Sequence, residues 1–364
     1  MTRIDPSHSG SLDRRADPVR DPVHEDHFAV EARFYLKLRD QKVKCVLCPR
    51  ACTVREGDRG HCGVRQNRGG VLYSLVHSRI CAANIDPIEK KPIFHFLPGT
   101  SAFSVGTAGC NVHCTFCQNW NISQALPESI PAEYAPPERV ATLAIQHNCP
   151  TVAFTYNEPV VFSEYLMDTT DAAHQAGIRC VAVSNGYMQQ DALKAAYGKL
   201  DAVKIDLKAF SETFYGRVVK GRLKPVLESL VTLRTMGKWL EVVFLVIPTL
   251  NDGDAELRSL AQWIKANLGA DVPLHFTQFH PQYLMKDQAV TPVETLERAK
   301  AIADAEGLHY VYIGNVPGHP AQNTYCPQCR NLLVERVGFT AGRIYLRNNC
   351  CAFCQHPIPG IWRL

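Results

Sequence analysis

Gly106-Thr-Ala-Gly-Cys110-Asn-Val-His-Cys114-Thr-Phe-Cys117-Gln-Asn-Trp120 carries three cysteines spaced x3 then x2 on a short glycine-bearing loop. That spacing suggests a three-cysteine iron–sulfur site: three thiolates on a four-iron cubane leave one iron without a protein ligand, free to take an exogenous chelator. An open iron implies chemistry beyond electron storage. The alternative is a zinc knuckle, in which His113 would supply the fourth ligand. Structural zinc sites usually assemble from two separated pairs, whereas this trio is contiguous and follows an apolar, strand-like run.

Outward from the loop, apolar strand-like runs at 102–107, 151–156, 178–183, 201–206, 240–247, 272–277 and 309–313 alternate with amphipathic stretches near 137–148, 160–176, 190–199, 224–237, 254–268 and 291–306. Repetition of a βα unit about six times implies a parallel sheet covered by helices, either doubly wound or closed toward a barrel. The strand exits favour the barrel, because βα barrels gather functional groups just after the carboxyl ends of their strands. The first exit holds the three cysteines, the second Asn157-Glu158-Pro159, the third Ser184-Asn185-Gly186 and the fourth Asp206 and Lys208. Each also has a structural reading: Glu158 as a helix cap, Asp206 with Lys208 as a strand-end ion pair, Glu89-Lys90-Lys91 as a solvated face, His275 and His280 as core or rim histidines.

Cysteine-rich segments flank this repeat. Cys45-x2-Cys48-x3-Cys52-x9-Cys62 puts four thiols in eighteen residues, with Gly57 and Gly60 free to wrap the backbone round a metal. Tetrathiolate zinc and an auxiliary iron–sulfur cluster both suit that spacing. At the other end, Cys326-x2-Cys329 and Cys351-x2-Cys354, 21 residues apart, resemble a zinc ribbon, with zinc favoured over a cluster. Of fifteen cysteines these groups use eleven, leaving Cys81, Cys149, Cys180 and Cys350 as ordinary thiols. The expected division is a disordered tail over 1–27, a cysteine-rich segment over 28–100, the βα core over 101–318 and a ribbon-like segment over 319–364.

The 364 residues allow one large barrel with small satellites. Hydrophobic content of 46% and charged content of 20% are ordinary for a globular protein, and no apolar run is long enough to span a bilayer. A formal charge of +4 without a dense basic block gives no indication of a nucleic-acid partner. Residues 1–27 are polar and carry no apolar signal core, so the chain reads as cytoplasmic, where clustered cysteines favour metal over disulfide.

Together with Asp86-Pro-Ile-Glu-Lys-Lys-Pro92, His95-Phe-Leu-Pro-Gly99, Thr155-Tyr-Asn-Glu-Pro159, Ser184-Asn-Gly-Tyr187 and Ile205-Asp-Leu-Lys208, the cysteine loop resembles the radical S-adenosylmethionine (SAM) enzymes of the pyruvate formate-lyase activating type. More closely it is similar to the branch called the AmmeMemoRadiSam-system radical SAM enzymes, from about residue 40 onward. The resemblance implies a partial (β/α)6 barrel in which Cys110, Cys114 and Cys117 hold a [4Fe-4S] cluster that chelates SAM. Phe116 would lie beside the adenine. Asn157 and Glu158 would correspond to a turn receiving the SAM amine, although the family's glycines are replaced here. Ser184 and Asn185 would sit by the ribose or carboxylate, and Asp206 and Lys208 near the substrate. Reductive cleavage of SAM would give a 5′-deoxyadenosyl radical that abstracts hydrogen from a protein or peptide. A glycyl-radical activase is the alternative within the superfamily, and a non-catalytic zinc scaffold the alternative outside it. Implied partners are an external electron donor such as a flavodoxin or ferredoxin and the two proteins that name the system.

Overall fold

In the parallel strands, period-two alternation sets large aliphatic side chains toward the helices and small or polar ones inward. On the run Trp239–Val246, Val242, Phe244 and Val246 join the outer core, whereas Trp239, Glu241, Val243 and Leu245 face inside. The computed structural model describes residues 26–363, so most of the expected N-terminal tail, 1–25, lies outside the described residues. All seven expected runs form strands of one sheet, joined by an eighth: β1 Ala82–Pro87, β2 Ser101–Gly106, β3 Thr151–Phe154, β4 Arg179–Ser184, β5 Ala202–Asp206, β6 Trp239–Val246, β7 Leu274–Gln278 and β8 Val311–Gly314. Spatial order follows chain order from β1 to β8, with β2 to β8 parallel and β1 antiparallel to β2. A doubly wound sheet reverses its order at a switch point. This one never does, and its linear order leaves the barrel open.

The helices α1 Pro137–Gln146, α2 Ser163–Gln175, α3 Gln190–Tyr197, α4 Leu223–Thr235, α5 Asp254–Asn267 and α6 Val293–Ala305 fall within three residues of the expected bounds. The largest difference is at α2, where Pro159 opens a 3-10 turn, Pro159–Phe162, before the α-helix begins.

Residues 88–97 plug the barrel floor. Ile88, Ile93, Phe96 and Leu97 pack on Ala102, Ala153, Val181 and Ala202, contributed by four neighbouring strands. Those wall side chains are small enough to admit the plug, and each large plug residue contributes about 1.5–3 kcal/mol through burial. Glu241, fully buried on β6, ties plug to wall by accepting from Phe94 N at 2.9 Å, His95 N at 2.8 Å, Trp239 Nε1 at 3.0 Å and His275 Nε2 at 2.7 Å.

Beneath the plug sits the C-terminal ribbon, with antiparallel strands Thr324–Tyr325, Leu332–Val337 and Thr340–Ile344. Its Leu333, Val334 and Ile358 pack on Phe94, Tyr310 and Tyr312. Arg336 enters the floor, donating to Phe94 O at 2.7 Å and Thr324 Oγ1 at 2.8 Å while lying 3.7 Å from Glu89 Oε1. The run Glu89-Lys90-Lys91 is therefore solvated only at Lys90. Glu89 and Lys91 are buried, because one faces the ribbon's arginine and the other pairs with Asp86 at 2.5 Å.

Burial alone would raise the Glu241 carboxyl, but the hydrogen bond from His275 and the donors of the plug outweigh it and hold it at about 2. Burial lowers His275, which donates as a neutral imidazole. Because the folded value of Glu241 lies below the unfolded one, its contribution is complete above about pH 4.5 and is lost as pH falls toward 2. Glu241→Gln is expected to cost about 3 kcal/mol of stability at pH 7. It should also flatten the loss of stability between pH 4.5 and 2, as read from urea titrations of both proteins.

Candidate active site at the barrel mouth

The cysteine loop follows β2 and is held from three sides. Gly109 has φ +86°, and a Cβ there would lie 2.6 Å from Val64 Cγ1 and 2.7 Å from Cys62 O, so no side chain fits. After β3, Asn157 accepts from Thr107 N at 3.0 Å through Oδ1 and donates through Nδ2 to Ala108 O at 3.1 Å and Gly109 O at 2.9 Å. Its amide is thus used on the loop. Glu158 accepts from Val160 N at 3.0 Å, Ser184 Oγ at 2.6 Å and Asn185 N at 2.7 Å, capping the turn that precedes α2 and clasping the exit of β3 to that of β4. Asn185 Nδ2 in turn donates to Asn111 Oδ1 at 2.9 Å and lies 3.8 Å from Cys110 Sγ. One chain of hydrogen bonds runs from β4 back to the first cysteine.

Cys110, Cys114, Phe116 and Cys117 after β2, Asn157 and Glu158 after β3, Ser184 and Asn185 after β4, and Asp206 and Lys208 after β5 all line one cavity of about 470 Å3. Burial pushes the Glu158 carboxyl up to about 7, against the hydrogen bonds from Ser184, Asn185 and Val160. Asp206 moves the other way: burial would raise it, but Lys204 and Lys208 outweigh that and lower it. Burial also pushes the Cys114 thiol up to about 12, so its thiolate form at neutral pH requires a bound cation. A three-thiol set beside Lys208 and a buried carboxyl is chemically fitted to a cluster with one open iron and a zwitterionic ligand.

Lys204, Lys91 and Tyr156 also line the cavity, although the sequence did not assign them to the site. Lys204, buried and paired with Asp206, lies on the inward parity of β5, and the alternation Lys204-x-Asp206-x-Lys208 carries that signal. Lys91 and Tyr156 carry none. Tyr156 has φ +71°, a strained value for a bulky residue, and its hydroxyl donates to Asp86 Oδ2 at 2.6 Å, the carboxylate oxygen that also accepts from Lys91. Of the two histidines singled out, His275 lies in the core and His280 is exposed.

The four ribbon cysteines have sulfurs within 4.8 Å of one another, with Cys326 to Cys354 and Cys329 to Cys351 both at 3.6 Å. Cys45, Cys48, Cys52 and Cys62 line a second, smaller cavity behind the loop, into which Asn111 also projects. None of the fifteen cysteines is in a disulfide.

A sequential βα barrel with a three-cysteine loop over its mouth defines a class of metal-dependent enzymes. The radical SAM superfamily profile matches residues 104–261. An uncharacterized protein of Methanocaldococcus jannaschii is 46% identical over 330 residues, covering 90% of this chain and 98% of that protein. The benzylsuccinate synthase activating enzyme of Thauera aromatica is 22% identical over 130 residues, 35% of this chain and 39% of that enzyme. Among solved structures, a radical SAM methyltransferase from Sphaerobacter thermophilus superposes with a TM-score of 0.48 and 13% identity, covering 79% of this chain and 76% of that one. Residues 104–261 of the chain form a radical SAM superfamily domain, a family whose chemistry uses SAM and a [4Fe-4S] cluster. Among the described residues no helix is long and apolar enough to cross a membrane.

Asn157→Ala would leave buried Thr107 N–H and Gly109 O without their side-chain partner, at about 1–3 kcal/mol. Hydrogen exchange at the Thr107 amide is expected to quicken by about 5- to 150-fold, with the β5 amides unchanged.

Proposed function

We propose that this protein cleaves SAM reductively at a [4Fe-4S] cluster held by Cys110, Cys114 and Cys117 and directs the resulting radical to a hydrogen of a protein or peptide substrate. The observation that carries this reading is the convergence of ten residues from four strand exits on one cavity. When bound, the cluster supplies the electron that breaks a carbon–sulfur bond of SAM to give the 5′-deoxyadenosyl radical. The chain's own residues position and shield. Glu158 would receive the SAM amine, Ser184 and Asn185 the ribose or carboxylate, and Phe116 the adenine. Buried Lys204 with the partly exposed Asp206 and Lys208 forms a charged wall toward the substrate, which would hold it close to a radical able to attack most C–H bonds.

A macromolecular substrate suits the rim. Trp120 stacks on Tyr283 with ring centroids 5.3 Å apart, and Leu284 beside them is 67% exposed, an apolar lip of the kind that grips a polypeptide. The benzylsuccinate synthase activating enzyme is named for acting on another enzyme, which keeps activation of a glycyl-radical partner as the second reading. A ferredoxin- or flavodoxin-like protein would supply electrons.

The ribbon is proposed to hold zinc. Zinc–sulfur bonds of about 2.3 Å in a tetrahedron put sulfurs about 3.8 Å apart, close to the 3.6 Å of both ribbon pairs.

After anaerobic reconstitution and reduction, the wild-type protein is expected to form 5′-deoxyadenosine from SAM and Cys114→Ala none. Equal formation by both, or a reduced cluster whose paramagnetic spectrum SAM leaves unchanged, would sink the reading. Metal analysis should find about one zinc per chain in wild type and none in Cys351→Ser. Iron in the ribbon instead of zinc would refute that assignment.

A further inference from the structure

Cys45, Cys48, Cys52 and Cys62 are brought together by a short sheet and two turns. Cys45 ends the strand Val43–Cys45, its N–H donating to Cys52 O at 2.9 Å, and Ala51, at φ +47°, turns the chain between Cys48 and Cys52. Gly57, at φ +78°, helps the chain return to Cys62. All four thiols line one cavity. It offers about 20 Å3 to the centre of a water-sized sphere, a void about 6 Å across once the sphere's own 1.4 Å radius is added.

The spacing of the thiols separates a single ion from a cluster. One tetrahedral ion draws all four sulfurs to within about 3.8 Å of each other, and the ribbon cysteines meet that condition. Among the described residues they form the one group of three or more metal-ligating side chains whose donor atoms lie within 4.8 Å of one another. The N-terminal four therefore stand wider, as do Cys110, Cys114 and Cys117. A cubane requires that wider spacing because each thiolate binds a different iron.

Arg65 is a second, independent observation. It is 1% exposed, it lines the same cavity, and its Nη2 donates to Glu164 Oε2 at 2.5 Å. Its Nε and Nη1 are buried with no partner. Two orphaned donors on a buried cation are costly unless acceptors face them. The sulfides and thiolates of a cluster are such acceptors, and a tetrathiolate cubane is a net anion.

We propose that Cys45, Cys48, Cys52 and Cys62 bind a second [4Fe-4S] cluster, set directly behind the cysteine loop of the barrel. The two sites share a wall. Cys62 O lies against Gly109, Arg50 Nε donates to Asn111 O at 2.6 Å, and the rings of His61 and His113 stack at 4.2 Å. Two paramagnets this close interact, so reduction of both clusters broadens and splits the resonance of each. This inference takes from the proposed function only that the barrel loop holds a cluster, and its first test does not depend on that loop.

The test is anaerobic reconstitution with iron and sulfide of the full chain in which Cys110, Cys114 and Cys117 are all changed to Ala. That variant is expected to keep about four iron and about four sulfide per chain and to show, once reduced, one simple paramagnetic signal. Adding Cys48→Ser and Cys52→Ser should remove both. Zinc at about two per chain with no iron in the triple variant would overturn the proposal. Should the triple variant precipitate, Cys48→Ser with Cys52→Ser in the otherwise intact chain decides. Iron is expected to fall from about eight to about four per chain and the resonance to lose its splitting, whereas about four in both proteins would refute the second cluster. Iron retained by the triple variant, with no SAM cleavage by wild type, would leave this inference standing and remove the proposed function.

Discussion

Two adjacent side chains, Asn157 and Glu158, hold the mouth of this barrel together. Parallel strands are bonded to one another along their lengths, but their exits are loops, and loops drift unless side chains fix them. Asn157 binds the backbone of the cysteine loop, Glu158 binds the next strand's exit, and Asn185 closes the circuit to Asn111 beside Cys110. The geometry of the thiols is thus set by buried amides and one carboxylate, groups that are rigid because every alternative would leave buried polar atoms unpaired.

The floor solves the opposite problem. A partial barrel built of alanine and valine on its inner face has room that must be filled, and the plug that fills it brings backbone N–H groups into an apolar interior. Glu241 answers them with one carboxylate for two amides, an indole and an imidazole. Residues remote in sequence, near 94, 241, 275 and 336, consequently form one network, and the polar interior rises from that floor through Lys204 and Asp206 to the mouth.

Much of this was legible in the chain. The parallel strands and their helices stood out because strands buried on both faces read as continuous apolar runs, and the site residues stood out because they sit just beyond those runs. What escaped had a different cause in each instance. The strand Ala82–Pro87 is half exposed at the sheet's edge and carries no apolar run. The run Glu89-Lys90-Lys91 looks solvated because burial of its charges depends on Arg336 and Asp86, partners that only folding supplies. Tyr156 takes a left-handed conformation that nothing local in its sequence favours, held by the hydroxyl's bond to Asp86. The spacing of the N-terminal cysteines gave their number but not the separation of their sulfurs, which is a property of the turns between them.

Arg336 gives the ribbon a standing that its small size hides. Its guanidinium closes the barrel from below, accepted by the carbonyl of Phe94 and stacked 4.1 Å over that ring. The last forty residues are therefore a keystone and not an appendage. Any ion that binds the four ribbon thiols only in the folded chain stabilises the whole fold by mass action, about 4 kcal/mol at a free concentration a thousand times its dissociation constant. Withdrawing that ion loosens the seat of Arg336, then the plug, and through the plug the floor on which the distant cysteine loop rests.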